Sequence, residues 1–145
     1  MITLESFYMG RDKTHADELT QEIQDNAEIT VGKVNELLEI AGFKSASEVA
    51  SGWRPAGVNA ATANAAKNSK HLTGQACDIR DGDRSLAGWC ADNVDVLEQV
   101  GLWCEDFRWT PTWVHFQIVP PKSGRRIFIP STAPAPDPDF PVTWV

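Results

Sequence analysis

Within residues 113–119, Trp-Val-His-Phe-Gln-Ile-Val, an alternation runs through residue 118: Trp113, His115 and Gln117 fall on one side, Val114, Phe116 and Ile118 on the other. A period of two describes a strand whose one face is apolar and whose other face is polar or aromatic. Such a strand must lie in a sheet with a core behind it. The remaining extended runs are short: 48–53, 75–79, 102–107 and 126–129. The first closes at Arg54-Pro55, because a residue before proline is pushed out of the α region. Helical patterns separate these runs. Leu19, Ile23, Val31, Val34, Leu38 and Ala41 recur near 3.6-residue spacing from Asp17 to Ala41, with Gly42 as the stop. The N-terminal half is weakly periodic, so a break near residues 27–30 is an alternative. Leu86, Trp89, Cys90, Val94 and Leu97 mark a second helix from Ser85, its expected N-cap, to Val100 before Gly101. Residues 57–70 are rich in Asn, Ala, Ser and Lys, lack apolar periodicity and read as a long loop. Helices grouped around a small, mostly antiparallel sheet define an α+β domain.

A chain of 145 residues fits one domain, here expected over residues 1–130. Residues 131–145 contain Ala-Pro-Ala-Pro-Asp-Pro-Asp-Phe-Pro, a proline-rich tail of polyproline II character that is either a linker or a strap over the body. Thirteen Lys and Arg against twenty Asp and Glu leave a formal charge of −7. With no basic run beyond Arg125-Arg126, a solvated strand end, nucleic-acid binding is excluded as a first reading. No apolar run approaches the roughly 18 residues that a membrane helix needs, and Met-Ile-Thr-Leu-Glu-Ser at the start lacks the features of a secretory signal. Cys77, Cys90 and Cys104 form no Cys-x-x-Cys pair and read as reduced core thiols. Only three histidines exist, His15, His71 and His115, so a histidine-based metal site has few compositions.

The chemistry-bearing stretch is Ser69-Lys70-His71-Leu72-Thr73-Gly74-Gln75-Ala76-Cys77-Asp78, followed by Trp113-Val114-His115. Two imidazoles and one carboxylate are a ligand set of catalytic zinc, which keeps a fourth position open. Gly74 can supply a turn that brings Asp78 beside His71, and His115 joins them if its strand pairs with that of Asp78. Taken singly, each histidine also suits a hydrogen-bonded structural role. The whole pattern, Ser-x-His-x-x-Gly-x-Ala-x-Asp then Trp-x-His, with Ser51-Gly52-Trp53-Arg54-Pro55 upstream, resembles the zinc D-Ala-D-Ala carboxypeptidase family over about residues 30–130. Its superfamily includes phage endolysin peptidases and the hedgehog signalling domain.

The resemblance implies a hedgehog/DD-peptidase-like fold with one zinc ion held by His71, Asp78 and His115. Arg54 would hold the substrate carbonyl and the oxyanion formed from it, a structural ion pair being the alternative. Ser69 would either hydrogen-bond substrate or brace the loop. Trp109 and Trp113 would line a peptide cleft, whereas Trp53, Trp89 and Trp103 suit the core. The family's acidic residue three positions before the second histidine is replaced here by Thr112, so the base becomes Glu105 or Asp106. Alternation along a strand lets only one of them face the metal. The longer Glu105 is favoured, and the bland alternative makes both solvated surface acids. His15 lies outside the pattern and is expected to be exposed.

The implied activity is zinc-dependent hydrolysis of peptide bonds in bacterial peptidoglycan stem peptides, next to a D-amino acid, as a carboxypeptidase or an endopeptidase. No covalent intermediate is needed. The cysteines are spectators, with Cys77 turned from the metal because it alternates with Asp78. The expected partner is the peptide substrate, the expected state a monomer. The Glu-Asp pair and Tyr8-Met-Gly-Arg-Asp12 resemble phage-encoded proteins, so the chain is expected to be made in a bacterial cytoplasm and to act on the wall at lysis or from a virion. A reading from another class is a catalytically idle, zinc-bearing binding or virion structural module of the same fold.

Overall fold

A computed structural model describes residues 1–131 and 135–144. Along the chain run helices α1 (Leu4–Tyr8), α2 (Arg11–Thr14) and α3 (Gln21–Ala41), strand β1 (Val49–Ser51), helix α4 (Ala56–Ala61) and strand β2 (Ala76–Arg80). Helices α5 (Ser85–Asp92) and α6 (Val94–Val100) follow, then strands β3 (Trp103–Glu105), β4 (Trp113–Gln117) and β5 (Ile127–Phe128). The class is α+β. The sheet order is β1-β2-β4-β3-β5. Three pairings are antiparallel and β3 pairs with β5 in parallel, so the sheet is mixed. The 118–126 connection turns the chain back after β4, which makes β5 run alongside β3 in the same direction.

The long helix begins later than its periodicity suggests. Thr20 caps it by accepting from Ile23 N, while Ala16–Glu18 form a separate 3-10 turn. It then runs unbroken to Gly42, and its buried face, Ala27, Thr30, Val31, Val34, Leu37 and Leu38, packs toward the sheet. Thr30 Oγ1 lies 2.8 Å from both Asn26 O and Gly74 O, tying this helix to the loop that carries His71.

The expected helix from Ser85 to Val100 is instead two. Asn93 leaves the helical region (φ −131°, ψ 47°), and its amide donates to Trp89 O. A side chain able to satisfy the preceding turn competes with continued helix, which is why a periodic apolar stripe did not reveal the break. Nor does Ser85 cap α5: Arg84 occupies the cap position, and the buried Asp81 carboxylate accepts from Leu86 N at 3.0 Å and Ala87 N at 2.8 Å. The expected loop 57–70 also begins inside a helix, α4. That helix is short and is held by its buried Asn59, which donates to Ala66 O.

Val114 and Phe116 of β4 and Cys77 and Ile79 of β2 enter the core behind the sheet, with Leu37, Leu38, Trp53 and Phe107. All three cysteines are free and buried. Trp53 is fully buried and donates from Nε1 to Leu72 O; Trp89 packs half-buried against the core, whereas Trp103 is half-buried and outside it. Arg126 lies over the Trp103 ring at 4.2 Å, not free in solvent as a strand end would be. His15 is half-buried and pairs with Thr14 Oγ1.

Positions 132–134 and 145 of the proline-rich tail lie outside the described residues. Residues 135–144 form a strap: Asp137 pairs with Arg84 at 2.7 Å, Arg84 sits 4.3 Å over the Phe140 ring, and Trp144 meets Phe107 edge-on at 5.4 Å.

Candidate metal centre

The antiparallel register sets Asp78 of β2 opposite His115 of β4. Alternation that sends Cys77, Ile79, Val114 and Phe116 into the core sends Asp78 and His115 to the other face. Neighbours across a strand pair bring such side chains into contact range. His115 Nδ1 lies 2.9 Å from Asp78 Oδ1.

His71 arrives from a 3-10 turn, Lys70–Thr73, whose start is capped by Ser69: its hydroxyl accepts from His71 N at 3.2 Å. Ser69 thus braces the loop, and it also lines the cleft described below. Gly74 ends the turn at φ +74°, and an added Cβ there would lie 2.9 Å from Ile23 O. Gly52 is required for a different reason: a Cβ at that position would lie 2.0 Å from Phe7 O. This close approach of α1 fixes the Gly52 carbonyl, which accepts a 2.7 Å hydrogen bond from His71 Nδ1.

That bond turns the other ring nitrogen inward. With Nδ1–H donating to a carbonyl, neutral His71 presents the lone pair of Nε2 inward. Nε2 is buried, has no hydrogen bond among the described residues, and lies 3.2 Å from Asp78 Oδ1. A lone pair facing a carboxylate oxygen at that range is an acceptor against an acceptor, which a proton on Nε2 or a metal cation between the two atoms resolves. One ligand atom each from His71, Asp78 and His115 lie within 4.8 Å of one another, and all three residues are buried. The donor set and the orphaned nitrogen therefore fit a metal ion.

Charge is concentrated here. Burial raises the Asp78 pKa, but His71 and His115 outweigh it and hold the carboxyl well below the ordinary range. Burial pulls His115 down, while Glu105, the hydrogen bond and charge of Asp78, and Gln117 together push it up to about 9. Arg54 is 8% exposed, and its guanidinium is held on three sides: Nε donates to Ser51 Oγ at 2.9 Å, Nη1 to Asn59 Oδ1 at 3.4 Å and Nη2 to Asp78 Oδ2 at 3.3 Å. Burial lowers its pKa, opposed by Asp78 and Glu105.

The two candidate acids separate. Glu105 Oε1 lies 3.8 Å from His115 Nε2 and lines the cleft. Asp106, the next residue, turns away and accepts from Arg108 N and Nε at 3.0 Å each and from Arg108 Nη2 at 2.7 Å. Gln117 was not foreseen as a site residue. Its Oε1 sits 2.9 Å from His115 Nε2, and its own amide donates to Val119 O, which fixes that oxygen as an acceptor. Its signal in the sequence was its place two residues from His115 on the same strand face.

The centre opens into a cleft of about 940 Å³ whose walls include Trp109, Trp113 and Phe128. A buried ligand triad at the floor, a fixed guanidinium beside it and a carboxylate at its edge can together bind a cation, orient a carbonyl and exchange a proton. Comparison with protein-family models, with curated proteins and with solved structures returns no match.

Proposed function

We propose that this chain is a zinc-dependent peptidase acting on bacterial peptidoglycan stem peptides, at a bond next to a D-amino acid. The single observation that carries the reading is the convergence of His71, Asp78 and His115, with His71 Nε2 buried and unpartnered against Asp78. The likeness of the motifs to the zinc D-Ala-D-Ala carboxypeptidase pattern supplies the substrate class. Two imidazoles with one carboxylate suit zinc among the available divalent ions.

Zinc, when bound, supplies a Lewis acid and lowers the pKa of a water it holds toward ~7. The chain's own residues do the rest. Glu105, at the edge of the centre, takes a proton from water and returns it to the leaving amine. Arg54, whose donors are fixed by Ser51, Asn59 and Asp78, steadies negative charge as it develops on the carbonyl oxygen. Asp106 has no part in this, because its carboxylate is spent on Arg108. Trp109 and Trp113 offer flat apolar surface on which peptide can lie.

Metal analysis should find one zinc per chain, and mass spectrometry of a defined muropeptide should show one bond cut by zinc-loaded protein and none after chelation. A muropeptide that stays intact with fully zinc-loaded protein would overturn the reading.

A further inference from the structure

The cleft reverses the charge of the molecule around it. The chain carries 13 cationic side chains against 20 acidic ones, yet four cations, Arg54, Lys67, Lys70 and Lys122, line the cleft against only two acids, Asp78 and Glu105. Both acids are engaged at the metal centre, Asp78 with Arg54 and the two imidazoles and Glu105 with His115. Arg54 is paired with Asp78 and is already assigned to the carbonyl oxygen. What remains is a set of three lysines, half of the six in the chain.

Among the described residues none of these three is in an ion pair, although Lys44 elsewhere pairs with Glu39 at 3.5 Å. All three are exposed, and they come from two separate segments: Lys67 and Lys70 from the stretch leading into His71, Lys122 from the connection after β4. Convergence of free ammonium groups on one concave surface, in a protein otherwise acidic, makes a local field for anions. Separate point charges rather than a bidentate guanidinium fork suit carboxylates spread along an extended ligand. Arg54 is not spare for the task.

We propose that the cleft selects peptides bearing free carboxylates near the bond presented to the metal centre, and that Lys67, Lys70 and Lys122 recognise them. The inference rests on the peptidase reading for the place of that bond, and deepens it to an anionic peptide. It also accounts for how an acidic protein engages an anionic wall polymer: repulsion acts over the body, attraction at the cleft.

The test uses a stem pentapeptide and the same peptide with every carboxylate amidated. Affinity is measured by calorimetry on zinc-loaded Glu105→Gln protein at about 50 mM salt, where screening is weak, and turnover is measured on wild type. The free acid should bind about tenfold tighter than the amide, several exposed charge pairs acting together. The advantage should shrink at about 500 mM salt. Replacing Lys67, Lys70 and Lys122 by Gln should abolish it at unchanged zinc content, and Lys67→Gln with Lys122→Gln, both away from His71, should halve it or more. Equal affinity for the two peptides, no binding of either, or discrimination that survives the triple replacement would overturn the proposal. Charge-selective binding without any turnover sustains it while removing the peptidase reading. Equal turnover of both peptides removes the proposal and leaves the peptidase.

Discussion

His71 is oriented before any cation arrives, because its Nδ1 is bonded to Gly52 O at 2.7 Å, which turns Nε2 toward Asp78 Oδ1. His115 is held differently, between Asp78 Oδ1 and Gln117 Oε1, each at 2.9 Å. Partners of this kind set ring orientation and tautomer, and their loss typically costs about 10–100-fold in metal affinity or activity. Gln117→Ala is therefore expected to weaken zinc binding by about that factor in a chelator competition, with little change in the circular dichroism spectrum. At this scale the residues of the candidate metal centre were legible because pattern and residue type coincide: only three histidines exist, and two sit inside the motifs. Gln117 escaped because an amide has no chemistry of its own to flag it, and it gains a role only through the ring beside it.

Glu105 ends β3 and Asp106 directly follows it, yet the two side chains meet opposite environments. The first reaches the cleft and the second is buried against Arg108. Glu105→Gln should slow muropeptide turnover by about 100-fold or more with an unchanged denaturation midpoint. Asp106→Asn should instead lower stability by about 1–3 kcal/mol, since the buried carboxylate loses its hydrogen-bonded pairing with Arg108, with zinc content retained. Kinetics and denaturant titration on the same two proteins separate these outcomes. The helix caps behave similarly. Asp81 satisfies two donors at the start of α5 from four residues upstream, so Asp81→Ala should cost about 1–2 kcal/mol in a urea titration. Strand alternation in β2 and β4 and the periodic α3 could be read from sequence because burial imposes their period. The cap from Asp81, the break at Asn93 and the existence of α4 could not, because each depends on a side chain reaching backbone outside the periodic pattern.

The molecule as a whole places its apolar layer behind the sheet and its charged constellation in front, and the tail closes over Phe107 on the core side. Phe107 follows Glu105 and Asp106 directly, so the strap packs on the segment that carries Glu105. Deleting residues 131–145 exposes Phe107 and strands Arg84, whose partners include Asp137 and Phe140. The truncated protein should melt at least about 5 °C lower in calorimetry. Composition had left linker and strap equally open, because a proline-rich sequence has the same polyproline character in both and only Phe140 and Trp144, finding an aromatic partner, decide it. The α+β class was legible from the spacing of short strands and helices, whereas the parallel β5 was not, since two residues carry no signal of direction. The proposed peptidase activity depends on the metal. Protein stripped by chelator and titrated with zinc should regain release of amino groups from purified peptidoglycan in proportion, levelling at one equivalent per chain, while His115→Ala stays inactive throughout. Full activity in the stripped protein, or in His115→Ala, would contradict it.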